Sequence, residues 1–88
     1  MPVVKLFGNL RRQTETPQLR VPGETVRAVI ESLCDQTPTL REAILDGSDL
    51  RPYVRVMVAG RDVALDRGLD TPIQENDQIA VFPPLAGG

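Results

Sequence analysis

The last seven residues of the chain carry its clearest chemical signal. They read Phe82-Pro83-Pro84-Leu85-Ala86-Gly87-Gly88. Because glycine has no Cβ, a Gly-Gly terminus can pass through a narrow channel in another protein and present its carboxylate there. The two prolines cannot donate ladder hydrogen bonds, so they end the preceding strand and hold the emerging chain extended. We therefore expect the reactive group to be the carboxylate of Gly88, with a threading tail made of Gly87, Ala86 and Leu85.

The residue types that enzymes use most often for catalysis are scarce in this sequence. Histidine is absent, which removes the usual general base and the commonest transition-metal ligand. The glycines before the terminus are isolated, so none forms a phosphate-binding loop. Glu75 and Asp77 flank a predicted turn without a convergent partner, and Cys34 falls on an apolar helical face, where it would pack in the core. We expect no catalytic residue in the chain itself, no metal site and no bound cofactor.

The charge pattern limits the classes of partner. The formal net charge is −2, and charges of both signs are interspersed without a basic run, so we expect no nucleic-acid partner. Apolar runs stay short of the ~18 residues that span a bilayer, and the first residues do not resemble a secretory signal, so we expect no membrane partner. A single cysteine agrees with a reducing compartment, and we expect a cytoplasmic protein.

The spacing of apolar residues predicts the elements that must position the terminus. Apolar residues at 26, 29, 30, 33 and 34 fall on one helical face after Thr25, a favoured N-cap residue, and a shorter helical segment is expected at 39–45. Apolar residues alternate with their neighbours in four segments, which predicts strands at residues 3–7, 18–21, 53–59 and 79–82, and a further short strand is expected at 63–65 after a turn at 60–62. Between them we expect a loop at 46–49 and a tight turn at Asn76-Asp77.

These elements predict one small α+β domain. A chain of 88 residues has room for one hydrophobic core, which a single main helix on one face of a sheet would supply. Pairing of the last strand with the first through a long crossover would make the sheet mixed. The domain is expected to span residues 1–84, with residues 85–88 as a flexible reactive tail. Tyr53, Met57 and Phe82 would share the sheet face opposite the helix, and we expect them to dock partner enzymes.

Four segments of the sequence resemble a known family. They are residues 4–8 (Val-Lys-Leu-Phe-Gly), 23–26 (Gly-Glu-Thr-Val), 71–73 (Thr-Pro-Ile) and 76–88, which ends in Gly-Gly. The family is the ubiquitin-like sulfur carriers, which include the small subunit of molybdopterin synthase and the thiamin sulfur carrier. The resemblance implies the β-grasp fold, a mixed four- to five-stranded sheet with one main helix on one face. This chain has Asn76-Asp77 where the family commonly has Gly-Asp, and asparagine tolerates the left-handed backbone expected in that turn.

The resemblance also implies a mechanism centred on Gly88. An adenylyltransferase related to ubiquitin-activating enzymes would use ATP to adenylate the Gly88 carboxylate, and a sulfur nucleophile would then replace AMP to leave a thiocarboxylate. The sulfur would pass to a biosynthetic enzyme, such as the large subunit of a synthase. The chain would thus be a cosubstrate and not an enzyme. The Phe-Pro-Pro stretch is similar to the molybdopterin branch, while Leu-Ala-Gly-Gly also fits carriers for cysteine synthesis, tRNA thiolation and specialised metabolites.

Two other functions fit the same sequence. A ubiquitin-like modifier would use the same activation, but a lysine of another protein would capture Gly88 in an isopeptide bond. Lys5 is the only lysine of the chain, which disfavours self-linked chains and leaves single attachment open. A β-grasp interaction module with an inert, frayed terminus would tolerate the loss of both terminal glycines. The three hypotheses differ in the fate of Gly88.

Overall fold

A computed structural model describes residues 1–83 of the chain. Within that range the strands are β1 (Val3–Leu6), β2 (Gln18–Arg20), β3 (Leu45–Asp46), β4 (Asp49–Leu50), β5 (Arg55–Val58), β6 (Arg61–Asp62) and β7 (Gln78–Phe82). The helices are α1 (Val26–Gln36) and α2 (Thr39–Ile44). Short 3₁₀ segments occupy three connections: Gly8–Gln13, Val63–Leu65 and Gly68–Asp70. Neither α1 nor α2 is long and apolar enough to cross a membrane.

Five strands form one mixed sheet in the order β2-β1-β7-β5-β6. The first and last strands, β1 and β7, are parallel, and the other pairs of this sheet are antiparallel. The prediction that the last strand returns to pair with the first is therefore confirmed. The connection between β2 and β7 is long enough to hold α1, α2 and the remaining strands, as a parallel pairing requires. Separately, β3 and β4 pair with each other as a short antiparallel hairpin.

Helix α1 forms where the apolar periodicity predicted it. The Thr25 hydroxyl accepts a hydrogen bond from the Ala28 N–H at 3.1 Å, which satisfies one of the free donors at the helix start. The apolar face of α1 is buried with the inward residues of the sheet in one core. Those inward residues alternate along the central strands: Val4 and Leu6 on β1, Val56 on β5, and Ile79 and Val81 on β7. The opposite sheet face, here called the outer face, is not covered by α1.

Gly23 allows the chain to turn closely against the start of α1. Its φ is 155°, and a Cβ there would lie 2.6 Å from Val29 Cγ2 and 2.7 Å from the Val29 nitrogen. The same turn is joined to the loop at 71–73, because the Ile73 N–H donates to the Glu24 carbonyl at 2.8 Å and the Val26 N–H donates to the Thr71 carbonyl at 3.0 Å. Two segments that resemble the sulfur-carrier family thus contact each other at the start of α1.

One predicted strand is wrong. Residues 63–65 alternate apolar and small residues, but Val63–Leu65 is a 3₁₀ segment, and the strand beside β5 is Arg61–Asp62. The Asp62 carboxylate accepts a hydrogen bond from the Ala64 N–H at 2.9 Å. This backbone donor is therefore bonded to a side chain and not to a neighbouring strand. The predicted loop at 46–49 also needs correction, because its two ends pair in the β3–β4 hairpin.

The turn before β7 does not use a left-handed asparagine. Among residues 1–83, the non-glycine residues with positive φ are Tyr53 and Ala59, so Asn76 is not one of them. The turn is closed instead by Asp77, whose N–H donates to the Gln74 carbonyl at 3.1 Å and whose carboxylate accepts from the Gln74 N–H at 2.8 Å. The expectation that Asn76 replaces a left-handed glycine was wrong, because Asp77 closes this turn without one.

Candidate functional site: the end of β7 and the outer face

The proposed reactive terminus is reached through β7. Pro84 and the tail residues Leu85, Ala86, Gly87 and Gly88 lie outside the described residues, and so does the predicted boundary between 1–84 and 85–88. The structure does describe the strand that leads to them. Because β7 lies between β1 and β5, ladder hydrogen bonds hold it on both sides up to Phe82. The chain therefore leaves the sheet from a central strand.

Two aromatic side chains stack on each other at the end of β7. The rings of Phe7 and Phe82 stack with their centroids 4.5 Å apart and their planes 16° from parallel. The Phe7 N–H donates to the Val81 carbonyl at 3.1 Å, which extends the parallel pairing past the end of β1. An aromatic pair of this kind contributes about 0.5–1.5 kcal/mol beyond its buried area. The stack therefore fixes the last residue of β7 to the first loop.

Gly8 and Pro83 continue this contact by one residue. Gly8 has a φ of 59°, and a Cβ at this position would lie 2.7 Å from Pro83 Cγ and 3.3 Å from Pro83 Cδ. A larger residue at position 8 would thus meet both left-handed strain and the proline ring. We call the four residues of these two contacts, Phe7, Gly8, Phe82 and Pro83, the exit seat. The exit seat sets the position at which the chain departs toward its terminus.

The strand register places apolar side chains together on the outer face. Met57 pairs with Ala80, and Ala80 lies two residues before Phe82 on the same face of β7. Phe82 in turn stacks on Phe7. These four residues, Phe7, Met57, Ala80 and Phe82, are here called the outer patch. The prediction that Met57 and Phe82 share this face is confirmed, and their role in docking stays a prediction.

Tyr53 does not lie where the strand pattern placed it. Strand β5 begins at Arg55, and Tyr53 has a φ of 71°, so the alternation that would put it beside Met57 is interrupted. Its side chain is 83% exposed. Tyr53 lines a cavity of about 260 Å³ whose wall includes Leu50, Val63 and other residues near β6. The expectation that Tyr53 belongs to the strand surface formed by Met57 and Phe82 was wrong.

Charged residues surround the outer patch. Lys5 pairs with Ala80 across the β1–β7 ladder, and Arg55 pairs with Phe82 across the β5–β7 ladder. At the sheet edge, Arg55 Nη1 lies 3.0 Å from the Asp62 carboxylate. The patch is thus an apolar strip with cationic side chains on both sides.

Cys34 and Glu75, two other side chains considered for chemistry, have structural roles in the fold. Cys34 is buried in the core, and burial raises the pKa of its thiol to about 11, so it stays a neutral thiol near pH 7. Glu75 pairs with the amino group of Met1, and this hydrogen bond lowers the pKa of the Glu75 carboxyl. No cluster of acids or cysteines within residues 1–83 is arranged to hold a metal ion.

Sequence reasoning missed Phe7 and Gly8 as parts of the site. The alternation of residues 3–7 puts Phe7 on the same face as Lys5, but only the parallel pairing of β1 with β7 brings it onto Phe82. For Gly8, the signal in the sequence was its position directly after a strand, where a left-handed glycine often turns the chain. Its contact with Pro83 joins residues 75 positions apart and leaves no local sequence pattern.

Comparison with known proteins relates the chain to carriers and modifiers. The sequence profile of the ThiS family matches residues 4–88. The chain is similar to small archaeal modifier protein 3 of Haloferax volcanii, with 34% identity over 64 residues, which cover 73% of this chain and 70% of the relative. It is also similar to the sulfur carrier protein CysO of Mycobacterium tuberculosis, with 33% identity over 69 residues, which cover 75% of this chain and 74% of the relative.

A solved structure extends the likeness to the fold. The solution structure of small archaeal modifier protein 1 from Methanosarcina acetivorans matches with a TM-score of 0.90 and 34% identity, covering 99% of this chain and 95% of the other. This match, with the mixed five-stranded sheet and main helix, confirms the ubiquitin-like β-grasp fold. The chain therefore belongs to the ThiS family, among sulfur carriers and ubiquitin-like modifiers.

Proposed function

We propose that this chain is a sulfur carrier whose Gly88 carboxylate is activated and converted to a thiocarboxylate. The observation that supports the proposal most directly is the exit seat. It fixes the end of a central strand by the Phe7–Phe82 stack and by the close approach of Gly8 to Pro83. A firmly held strand end followed by a short Gly-Gly tail suits a terminus that must reach into another enzyme.

The activation step follows from the chemistry of a carboxylate. A free carboxylate is a poor acyl donor because oxide is a poor leaving group. A partner enzyme related to ubiquitin-activating enzymes transfers AMP from ATP to the Gly88 carboxylate and releases pyrophosphate. A sulfide equivalent supplied by a partner then attacks the acyl carbon, so that a C–S bond forms and the C–O bond to AMP breaks. The resulting thiocarboxylate carries sulfur as a soft, anionic nucleophile.

In this proposal the chain itself positions its terminus and lets it enter the activating enzyme. Gly87 and Gly88 present no side chain to the channel of the activating enzyme, and the exit seat directs the tail from one end of the sheet. The outer patch is the docking surface that we assign to the activating enzyme, with Met57 and Phe82 at its centre. ATP, sulfide and the catalytic groups come from partners, so the chain acts as a cosubstrate.

The acceptor that we propose is the large subunit of a molybdopterin synthase. The stretch Phe82-Pro83-Pro84 favours this branch of the family. The alternative acceptors are enzymes of cysteine synthesis, tRNA thiolation or specialised metabolism. The similarity to the sulfur carrier protein CysO supports keeping these enzymes as alternatives. Incubating the thiocarboxylate form with each purified acceptor of the host and following loss of its sulfur would select among them.

A second candidate function is protein modification. The similarity to small archaeal modifier protein 3 favours it, and activation of Gly88 would be the same. The difference lies in the nucleophile, because a lysine amine of another protein would displace AMP and form an isopeptide bond. Since Lys5 is the only lysine, chains of this protein linked through lysine would all pass through that residue.

Intact mass measurement of protein from its native host distinguishes these functions. A sulfur carrier shows a species with oxygen replaced by sulfur at Gly88, and this species is trapped by a thiol-alkylating reagent. The alkylation step is required because oxidation of Met1 or Met57 adds an oxygen of nearly the same mass difference. Gly88 joined to lysines of other proteins supports the modifier, and a terminus that no activating enzyme adenylates contradicts both.

A further inference from the structure

The only lysine of the chain lies on the outer face, on the second strand of the sheet. Lys5 is on β1, with Gln18 of β2 beside it on one side and Ala80 of β7 on the other. Met57 is the next residue across the sheet, because it pairs with Ala80. The Lys5 side chain is half-buried. Lys5 therefore borders the outer patch from an inner strand of the sheet and not from its edge.

Lys5 differs from the other cation that borders the patch. Arg55 is paired with Asp62 at 3.0 Å. For Lys5, no ion pair or side-chain hydrogen bond is formed with any residue in the range 1–83. A protein that covers the outer patch must remove solvent from the ammonium group, and an uncompensated buried charge is strongly unfavourable.

The charge of the outer face also differs from that of the whole chain. Among the described strand residues of this face, Lys5, Arg20 and Arg55 are cationic and Asp62 is the one acid, so the face is basic. The whole chain carries a net charge of −2. Complementary charge across an interface raises association rates and excludes wrong partners. The face that carries the outer patch thus fits an acidic surface.

We propose that the activating enzyme presents an Asp or Glu carboxylate that binds Lys5 when it docks on the outer patch. This inference rests on the proposed function, since it assigns the chemistry of the partner at the same docking surface. A carboxylate satisfies the requirement because it neutralises the charge and accepts a charge-assisted hydrogen bond. The neighbouring Met57 and Ala80 offer no side-chain acceptor of that kind. Lys5 would be a positioning residue that sets partner choice.

Replacement of Lys5 by Met tests the proposal, because it keeps an unbranched apolar stem and removes the charge. The measurement is the dissociation constant of the full chain for the purified activating enzyme of the host, by calorimetry without ATP, so that docking is separated from adenylation. We expect Lys5→Met to weaken binding roughly thirtyfold or more and to reduce its salt dependence, and Lys5→Arg to retain most of the affinity. Arg67→Gln is the matched control, because it also removes one positive charge. The Arg67 side chain is 69% exposed, and it lies outside the strands, next to the 3₁₀ segment Gly68–Asp70 that packs on α1.

The opposite result is equally specific. If Lys5→Met binds as tightly as the parent or more tightly, the partner surface is apolar at this point and the proposal is wrong. A slower adenylation with ATP, at an unchanged dissociation constant without ATP, would mean that Lys5 acts on the terminus and would also overturn the proposal. Failure of the parent full chain to be adenylated with ATP is a separate result, which contradicts the proposed function whether or not Lys5 contributes to binding.

Discussion

The ring of Pro83 lies in the space that a side chain at Gly8 would require. A Cβ on Gly8 would be 2.7 Å from Pro83 Cγ, closer than carbon atoms pack in proteins. The first loop and the end of the last strand are therefore fitted to each other. A change in either residue is expected to alter the direction in which the tail leaves the sheet.

Gly8→Ala is expected to reduce both stability and activation. The left-handed φ of 59° costs a non-glycine residue roughly 1–2 kcal/mol, and the clash with Pro83 adds to that loss. Gly47→Ala is a matched control, because Gly47 has a φ of 67° but no atom within 4 Å of the place that a Cβ would occupy. Urea denaturation and adenylation rate are measured for both variants. Equal losses in the two would show that the contact with Pro83 contributes nothing.

Gly88→Ala is expected to block activation without affecting folding. In the proposed mechanism the added Cβ would enter the channel through which the carboxylate reaches the nucleotide, and a small misplacement of a reacting group lowers rates by roughly a hundredfold. Acyl-adenylate formation is followed by pyrophosphate release with the host activating enzyme, and thermal unfolding serves as the control. Undiminished turnover would contradict the steric account of the Gly-Gly terminus.

Met57→Glu is expected to weaken docking of the activating enzyme by roughly tenfold, because docking would bury a carboxylate in the centre of the apolar outer patch and that carboxylate would compete with the acidic partner surface for Lys5. Leu65→Glu is the control, since Leu65 is a 78% exposed apolar residue outside the sheet. Tyr53→Ala is expected to leave docking unchanged, because Tyr53 lies outside β5 and is not part of the outer patch. Binding is measured by calorimetry. A larger loss in Leu65→Glu than in Met57→Glu would move the docking surface away from the outer patch.

The stability of the protein is expected to decrease at alkaline pH through Cys34. Burial raises the pKa of this thiol from 9.0 to about 11. Below pH 9.0 the thiol is neutral in both the folded and the unfolded chain, whereas between these two values the unfolded chain alone loses the proton. The free energy of unfolding should therefore fall by about 2 kcal/mol across this range. Denaturation curves at each pH should show this slope in the parent and not in Cys34→Ala.

The elements with strong local patterns could be predicted from the sequence. Helix α1 has a five-residue apolar face and an N-cap at Thr25, and both features are local. Strand β7 was also predicted, since its alternation is followed directly by proline. The segment Val63–Leu65 was not, because its alternation imitates a strand while the Asp62 carboxylate stabilises a turn. Local pattern identifies an element only when no nearby side chain competes for the backbone.

The candidate site could be predicted only in part for a related reason. The terminal Gly-Gly is visible in the sequence, and so are Met57 and Phe82 as outward residues of two strands. The positive φ of Tyr53, which removes it from that surface, has no residue-type signal because tyrosine rarely adopts it. The stack of Phe7 on Phe82 depends on a parallel register between strands at opposite ends of the chain. Such register is a property of the assembled sheet.

The central place of β7 has a mechanical consequence. The strand runs parallel to β1 on one side and antiparallel to β5 on the other, and it ends where the tail begins. A force that pulls on the tail acts along the strand axis, so it loads both ladders in shear at once and cannot open them one bond at a time. An unfolding motor that grips the carboxyl terminus would thus have to shear the central strand of the sheet, which is hydrogen-bonded on both sides, before it could reach the rest of the domain.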